Sequence, residues 1–250
     1  MTAILLAVTG LDPKGWEERL RALAPHRDIR LWPQRVGDPA DIAYVCAWQA
    51  PHGLFVGLPR LKAIFSLGAG VDHVLGDPRL PDVPVVRIVD PDLTMRMTEY
   101  VVLHVLMHHR RQRHYDAQQR ERVWHEHAQP PASAVAVGVM GLGVLGRNSV
   151  EALRRIGFRV AGFSRTPKTL PGVETFHGEE GLDAFLRRSE ILVCLLPATS
   201  LLWAHPKVTI TPHNAAASDP DALVANMLRQ IERYESGLPL EHVVDRRVGY

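Results

Sequence analysis

Only two cysteines occur in 250 residues, Cys46 and Cys194. Both lie inside apolar runs, so they read as small buried hydrophobes, which excludes a disulfide framework and a cysteine-based metal centre. No apolar run reaches the roughly 18 residues that a membrane span requires. The stretch Met1–Val8 leads into Thr9-Gly10 with neither a basic leader nor a small-residue cleavage site. A soluble, cytoplasmic protein without a membrane partner is expected. Excess charge is also scarce: 29 basic against 27 acidic residues leave +2, too little to expect a nucleic-acid partner. The densest basic run, Arg110-Arg111-Gln112-Arg113-His114, reads as a solvated helix face. The 13 histidines include His104, His108, His109, His125 and His127, but no Cys/His/carboxylate set stands at recognised ligand spacing. Neighbouring arginines repel a cation, and no metal site is expected.

What is present is core material and an alternating pattern. At 46% hydrophobic residues the chain has ample apolar surface for one large domain or two smaller ones. Strands are expected at Ile4–Val8, Ile29–Leu31, Ile42–Cys46, Leu61–Leu67 and Pro84–Val89, with a helix at Trp16–Ala24 closed by Pro25. A long helix is expected from about Thr98 to near Arg122. After Gln129-Pro130-Pro131 a second series begins: a strand ending at Met140, then Arg159–Phe163, Ile191–Leu196 and Val208–Thr211, then a helix from Asp221 to Ser236 stopped by Gly237. The reading is α/β, with two domains that are each a parallel sheet flanked by helices. Residues 1–96 and 216–250 form the first domain, and 97–215 the second.

The second series opens on the most specific motif, the apolar run Ala134–Met140 followed by Gly141-Leu142-Gly143-Val144-Leu145-Gly146. A Gly-x-Gly-x-x-Gly between a strand and a helix marks a dinucleotide site. The first glycine makes the tight turn, the second lets backbone approach a pyrophosphate, and the third lets helix pack close to strand. Val144 and Leu145 open the helix, whose free N–H groups attract the anion. Leu145, Val150, Leu153 and Ile156 follow at helical spacing, and Gly157 stands where a left-handed cap belongs.

NAD-selective sites carry an acidic residue at the end of the next strand, which bonds the ribose hydroxyls. Here that strand ends Phe163-Ser164-Arg165-Thr166-Pro167-Lys168, with no carboxylate. Ser164, Arg165, Thr166 and Lys168 suit a 2′-phosphate instead, which Arg bonds in bidentate fashion and a carboxylate would repel. NADP(H) is expected over NAD(H).

Several separated motifs then agree: Leu67-Gly68-Ala69-Gly70-Val71-Asp72, the glycine fingerprint, Phe163–Thr166, Leu195-Leu196-Pro197-Ala198-Thr199, Trp203–His213 and Val244–Tyr250. Together they resemble the D-isomer-specific 2-hydroxyacid dehydrogenases over nearly the whole chain. The resemblance implies a flavodoxin-like substrate domain, a Rossmann cofactor domain and a homodimer through the latter. It implies NADPH-dependent reduction of small 2-oxo acids such as glyoxylate and hydroxypyruvate. Gly68, Ala69, Gly70 and Val71 would present amides to the substrate carboxylate, with Trp48 walling the pocket. Leu196, Pro197 and Thr199 would line the cofactor groove. His213 matches the family's general acid, a role that suits an imidazole titrating near neutrality.

After Ser200 the chain departs from that pattern. Leu201-Leu202-Trp203 already belongs to the segment before the histidine, so about two β–α units are missing from the Rossmann part. An Asn-x-x-Arg-Gly arginine that binds substrate and the glutamate that orients the histidine have no counterpart. The 11 residues from Pro197 to Lys207 span at most roughly 36 Å, too little for a covering crossover. An exposed apolar face is expected. Two explanations stay open: a stretch of the whole protein belongs at this junction, or the deletion is real and leaves a catalytically inactive dinucleotide-binding protein.

Overall fold

Six consecutive buried residues make Ala3–Val8 a strand covered on both faces, the pattern of a central strand in a parallel sheet. The computed structural model describes residues 2–68, 70–196, 207–209, 211, 214–216 and 219–246. The chain divides into two units, Met1–Asp90 with Ser218–Tyr250, and Pro91–Ala217.

In the first unit, β1 (Ala3–Val8) is followed by α1 (Lys14–Leu23), β2 (Asp28–Leu31), β3 (Ile42–Trp48), β4 (Ala63–Ser66), the single turn α2 (Asp72–Leu75) and β5 (Val85–Val86). All pairings are parallel, in the order β2-β1-β3-β4-β5. This is the flavodoxin-like order, whose direction of winding reverses between β1 and β3. In such sheets ligands bind beyond the strands' carboxyl ends at that reversal, which here falls at Val8 and Trp48.

The second unit contains α3 (Pro91–His109), α4 (Gln112–Glu121), β6 (Ala136–Met140), α5 (Val144–Ile156), β7 (Arg159–Ser164), β8 (Glu174–His177), α6 (Gly178–Arg188) and β9 (Ile191–Cys194). Val101 and Val105 of α3 pack with Val137, Val139, Val150 and Leu153, so β6 is buried between α3 and α5. The single long helix expected from Thr98 is two helices, and the first begins earlier, at Pro91. The break falls at Arg111, in left-handed conformation at φ 55°. Its cause is loss of packing: α4 has no buried residue, so no core holds the two helices on one axis. The unit β8–α6 escaped the sequence reading because β8 has no fully buried position.

The second sheet is parallel, in the order β8-β7-β6-β9, the first four strands of the Rossmann order 3-2-1-4-5-6. Val208–Thr211 was expected as a further strand. Its described residues, Val208, Thr209 and Thr211, belong to no strand, and among the described residues the sheet ends at β9. Among the described residues β9 is the edge strand on this side. Ile191 and Val193 are half-buried, whereas Leu192 and Leu196 are 46% and 45% exposed. Cys194 is exposed with them, which corrects the expectation of a buried thiol. A run with the composition of an internal strand thus has one face uncovered.

Returning to the first unit, α7 (Pro220–Glu235) starts with Asp219 accepting from the Asp221 N–H and with Pro220 in its first turn. It ends at Gly237, φ 83°, where the Leu238 N–H reaches back to the Arg233 carbonyl. Val224, Met227, Leu228 and Ile231 cover one face of the five-stranded sheet against Ile4, Leu6, Tyr44, Cys46 and Phe65. On the other face Phe55, Leu58, Val71 and Val74 pack with Leu5, Val45 and Ile64. No helix among the described residues is long and apolar enough to cross a membrane.

Candidate active site

Each glycine of the fingerprint meets a different requirement. Gly141 stands at φ 100°, which L side chains rarely adopt, and its N–H bonds the Phe163 carbonyl at 2.8 Å. A Cβ on Gly146 would lie 1.7 Å from the Gly141 carbonyl oxygen, so helix and turn approach as only glycine permits. Over Gly143, by contrast, a Cβ would meet nothing within 4 Å. That open space lies at the N-cap of α5, which has no side-chain cap and no acidic residue in its first turn. A helix start without a side-chain cap beside open space fits an anionic pyrophosphate. Leu195 and Leu196 flank the turn, 3.5 and 3.6 Å from where a Gly141 Cβ would stand.

Met140 pairs with Phe163, so the turn after β7 lies at the same sheet edge as the glycine turn. The Ser164 hydroxyl donates to the Thr166 carbonyl at 2.8 Å, and Thr175 Oγ1 donates to the Lys168 carbonyl at 2.8 Å. These bonds fix the backbone of a turn on which Arg165 is exposed and Thr166 and Lys168 half-buried. A guanidinium and an ammonium on a fixed loop, beside the second strand of the dinucleotide unit, match a 2′-phosphate in place and in charge.

In the first unit, Trp48 ends β3 at the sheet reversal. Its ring lies against the loop after β4: a Cβ on Gly68 would stand 2.5 Å from Trp48 Cζ3. The loop is organised by Ser66, which sequence reasoning missed. Its buried hydroxyl lies 2.8 Å from the Gly70 carbonyl and 3.0 Å from that of Gly68, and accepts the Gly68 N–H at 3.3 Å. Gly70 is exposed and Val71 buried; Ala69 lies outside the described residues. Two further residues had no sequence signal, being single polar groups in unremarked positions. His73 lies 5.2 Å from Trp48, ring to ring, and its Nε2 is 3.3 Å from the Ala47 carbonyl. Arg87, just past β5, lines a small cavity with Ser66, Leu67, Asn226 and Gln230.

Burial holds the His73 imidazole below its ordinary pKa of 6.5, against the opposing pull of Ala47 and Asp72. Neutral His73 therefore contributes stability that is full above about pH 6.5 and lost as pH falls through the lowered value. The denaturant midpoint is expected to drop between about pH 7 and pH 5, and less steeply in His73→Phe. Parallel slopes for the two proteins would remove His73 from this effect.

Pro197, Thr199 and His213 lie outside the described residues. Among the described residues no group of histidines, cysteines and carboxylates is arranged to hold a metal ion.

Residues 102–201 match the profile of the D-isomer specific 2-hydroxyacid dehydrogenase NAD binding domain. Together with relatives at 31–33% identity over 96% of the chain, this places the protein in the D-isomer-specific 2-hydroxyacid dehydrogenase family. One relative is the glyoxylate/hydroxypyruvate reductase A of Yersinia enterocolitica, 31% identical over 305 aligned positions that take in 96% of this chain and 97% of the relative. Since 96% of 250 residues is 240, about 65 of those positions have no residue here. The profile match ends at residue 201, next to the junction at which two β–α units were expected to be missing. The NADPH-dependent glyoxylate/hydroxypyruvate reductase of Sinorhizobium meliloti, solved with NADP and sulfate, is 35% identical with a TM-score of 0.87, covering 100% of both chains. A probable 2-hydroxyacid dehydrogenase of Rhizobium etli, solved with NADP, HEPES and L(+)-tartaric acid, is 35% identical with a TM-score of 0.89, covering 100% of this chain and 99% of the other.

Proposed function

We propose that this protein binds NADP(H) and reduces small 2-oxo acids, glyoxylate and hydroxypyruvate among them, to 2-hydroxy acids. The observation that carries the reading is the open space over Gly143 at an uncapped helix start, with Arg165 on the neighbouring turn at the same sheet edge. NADP-bound relatives at 35% identity support it. Gly141, Gly143, Val144, Leu145 and Gly146 hold the pyrophosphate; Ser164, Arg165, Thr166 and Lys168 hold the 2′-phosphate; Leu196, Pro197 and Thr199 line the groove. When bound, the nicotinamide supplies hydride to the carbonyl carbon. His213 gives a proton to the carbonyl oxygen, which neutralises the charge that develops there. The amides of Gly68–Val71 receive the substrate carboxylate, with Trp48 as the wall. Arg87 brings positive charge to the same edge of the first unit, where the family's substrate arginine has no counterpart.

Replacing Arg165 by Asp tests the cofactor assignment. It removes the phosphate's cation and introduces a charge that repels it, so preference shifts toward NADH by about tenfold or more. An unchanged ratio of NADPH to NADH affinities refutes the role given to Arg165.

A second reading, an inactive dinucleotide-binding protein, is favoured by one finding: about 65 aligned positions are absent, and the apolar face of β9 is left bare. Mixing the protein with glyoxylate and NADPH separates the two, since brisk loss of nicotinamide absorbance belongs only to the first. In either reading the protein is cytoplasmic, with no nucleic-acid or membrane partner. The homodimer uses the second unit, where the fully exposed Trp124 and the half-exposed Val123 just beyond α4 support a contact.

A further inference from the structure

Among its described residues, the segment leading to His213 is held by no strand ladder. Lys207, Val208, Thr209 and Thr211 belong to no strand, yet three side chains of α3 and α4 reach this segment. Tyr100 Oη lies 2.6 Å from Thr211 Oγ1. Arg113 Nη2 donates to Thr209 Oγ1 at 2.9 Å, and His108 Nε2 lies 2.9 Å from the same oxygen.

Donor inventory fixes the direction of these bonds. Arginine only donates, so Thr209 accepts from Arg113 and its single proton is left for His108. Burial and the charge of Arg113 hold His108 below the usual imidazole value, which leaves Nε2 free to accept. The anchors stand on firm ground. Val101 and Val105, one and five residues past Tyr100 on α3, are buried in the core of the second unit. The Tyr100 ring is braced by His104 at a centroid distance of 4.2 Å. Thr211 stands two residues before His213 in the sequence, a reach of about 7 Å of extended chain.

We propose that Tyr100, seconded by His108 and Arg113, positions the catalytic histidine segment through Thr211 and Thr209, with side-chain bonds to α3 and α4 in place of ladder bonds. None of the three is assigned contact with substrate or cofactor. The proposal rests on the reading of His213 as proton donor, and its test keeps the two apart.

The experiment compares Tyr100→Phe, Thr211→Val, their combination and Thr211→Ser in the full chain. Amide hydrogen exchange is followed over residues 208–216, and steady-state kinetics with NADPH and glyoxylate alongside. Loss of one hydrogen bond is expected to speed exchange about tenfold in Tyr100→Phe and in Thr211→Val. The double variant should be no faster than either single one, and Thr211→Ser, which keeps the hydroxyl, should exchange as the parent does. In kinetics kcat falls about as far, while the KM for glyoxylate and the affinity for NADPH hold. Unchanged exchange in both single variants, or multiplying effects in the double one, overturns the positioning role. His213→Ala tests the underlying reading separately: turnover that survives this change defeats the proton-donor role, while exchange still reports on the anchor.

Discussion

Replacing Gly146 by Ala is expected to destabilise the second unit by more than about 3 kcal/mol, because the new Cβ would stand 1.7 Å from the Gly141 carbonyl oxygen. That neighbour is backbone in the tightest part of the strand-to-helix turn, so relief requires moving the start of α5. In a chain of this size, about 3 kcal/mol lowers the thermal midpoint by roughly 6–12 °C. Gly143→Asp should behave in the opposite way. Gly143 is the N-cap of α5, in extended conformation at φ −75° and ψ −163° with open space before it. Aspartate there is a favourable cap, so the midpoint holds or rises. Its charge also enters the space assigned to the pyrophosphate, and NADPH affinity falls on the order of a hundredfold. Calorimetry and NADPH titration of the two variants separate these effects. Retained NADPH binding in Gly143→Asp would remove the pyrophosphate from this site.

His213→Ala is the second large effect. Losing a positioned proton donor typically costs about 10²–10⁴ in rate, so kcat should fall in that range while NADPH affinity, which the proposed function assigns to the glycine turn and Arg165, is kept. A general acid works protonated, so under the proposed role kcat/KM is expected to decline toward alkaline pH. Undiminished turnover in His213→Ala would remove His213 from the chemistry.

The cofactor half of the site was legible because its requirements are local. A positive φ at Gly141, a backbone contact at Gly146 and open space over Gly143 belong to one turn, and each leaves a glycine in the sequence. The Arg165 turn was legible for a similar reason: a charge without an acidic neighbour, just past a strand, can be read along the chain. Ser66, His73 and Arg87 were not legible. Their importance comes from what the fold brings beside them: a loop carbonyl for Ser66, the Trp48 ring for His73, a cavity wall for Arg87. Tyr100 was read as one more residue of a long helix, and its partner Thr211 lies 111 positions away.

The apolar run Ile191–Leu196 shows both sides of the division. Its composition determined that it is a strand of the parallel sheet, because β-branched and aliphatic residues fit a pleated surface whatever lies beyond. The short junction after Ser200 already led to an exposed apolar face being expected, but that it falls on Leu192, Cys194 and Leu196 emerged only in the folded unit. The sequence by itself thus determined the α/β class and the strand, glycine turn and helix of the second unit. These are encoded by period, by glycine and by spacing, which act over one or two turns of chain. Only the tertiary structure decided the break between α3 and α4, which residues of β9 are exposed and the side-chain bonds from α3 and α4 to Thr209 and Thr211. Those depend on packing and hydrogen bonds between residues far apart in sequence, where the energy of a contact is set by the partner and not by the residue alone.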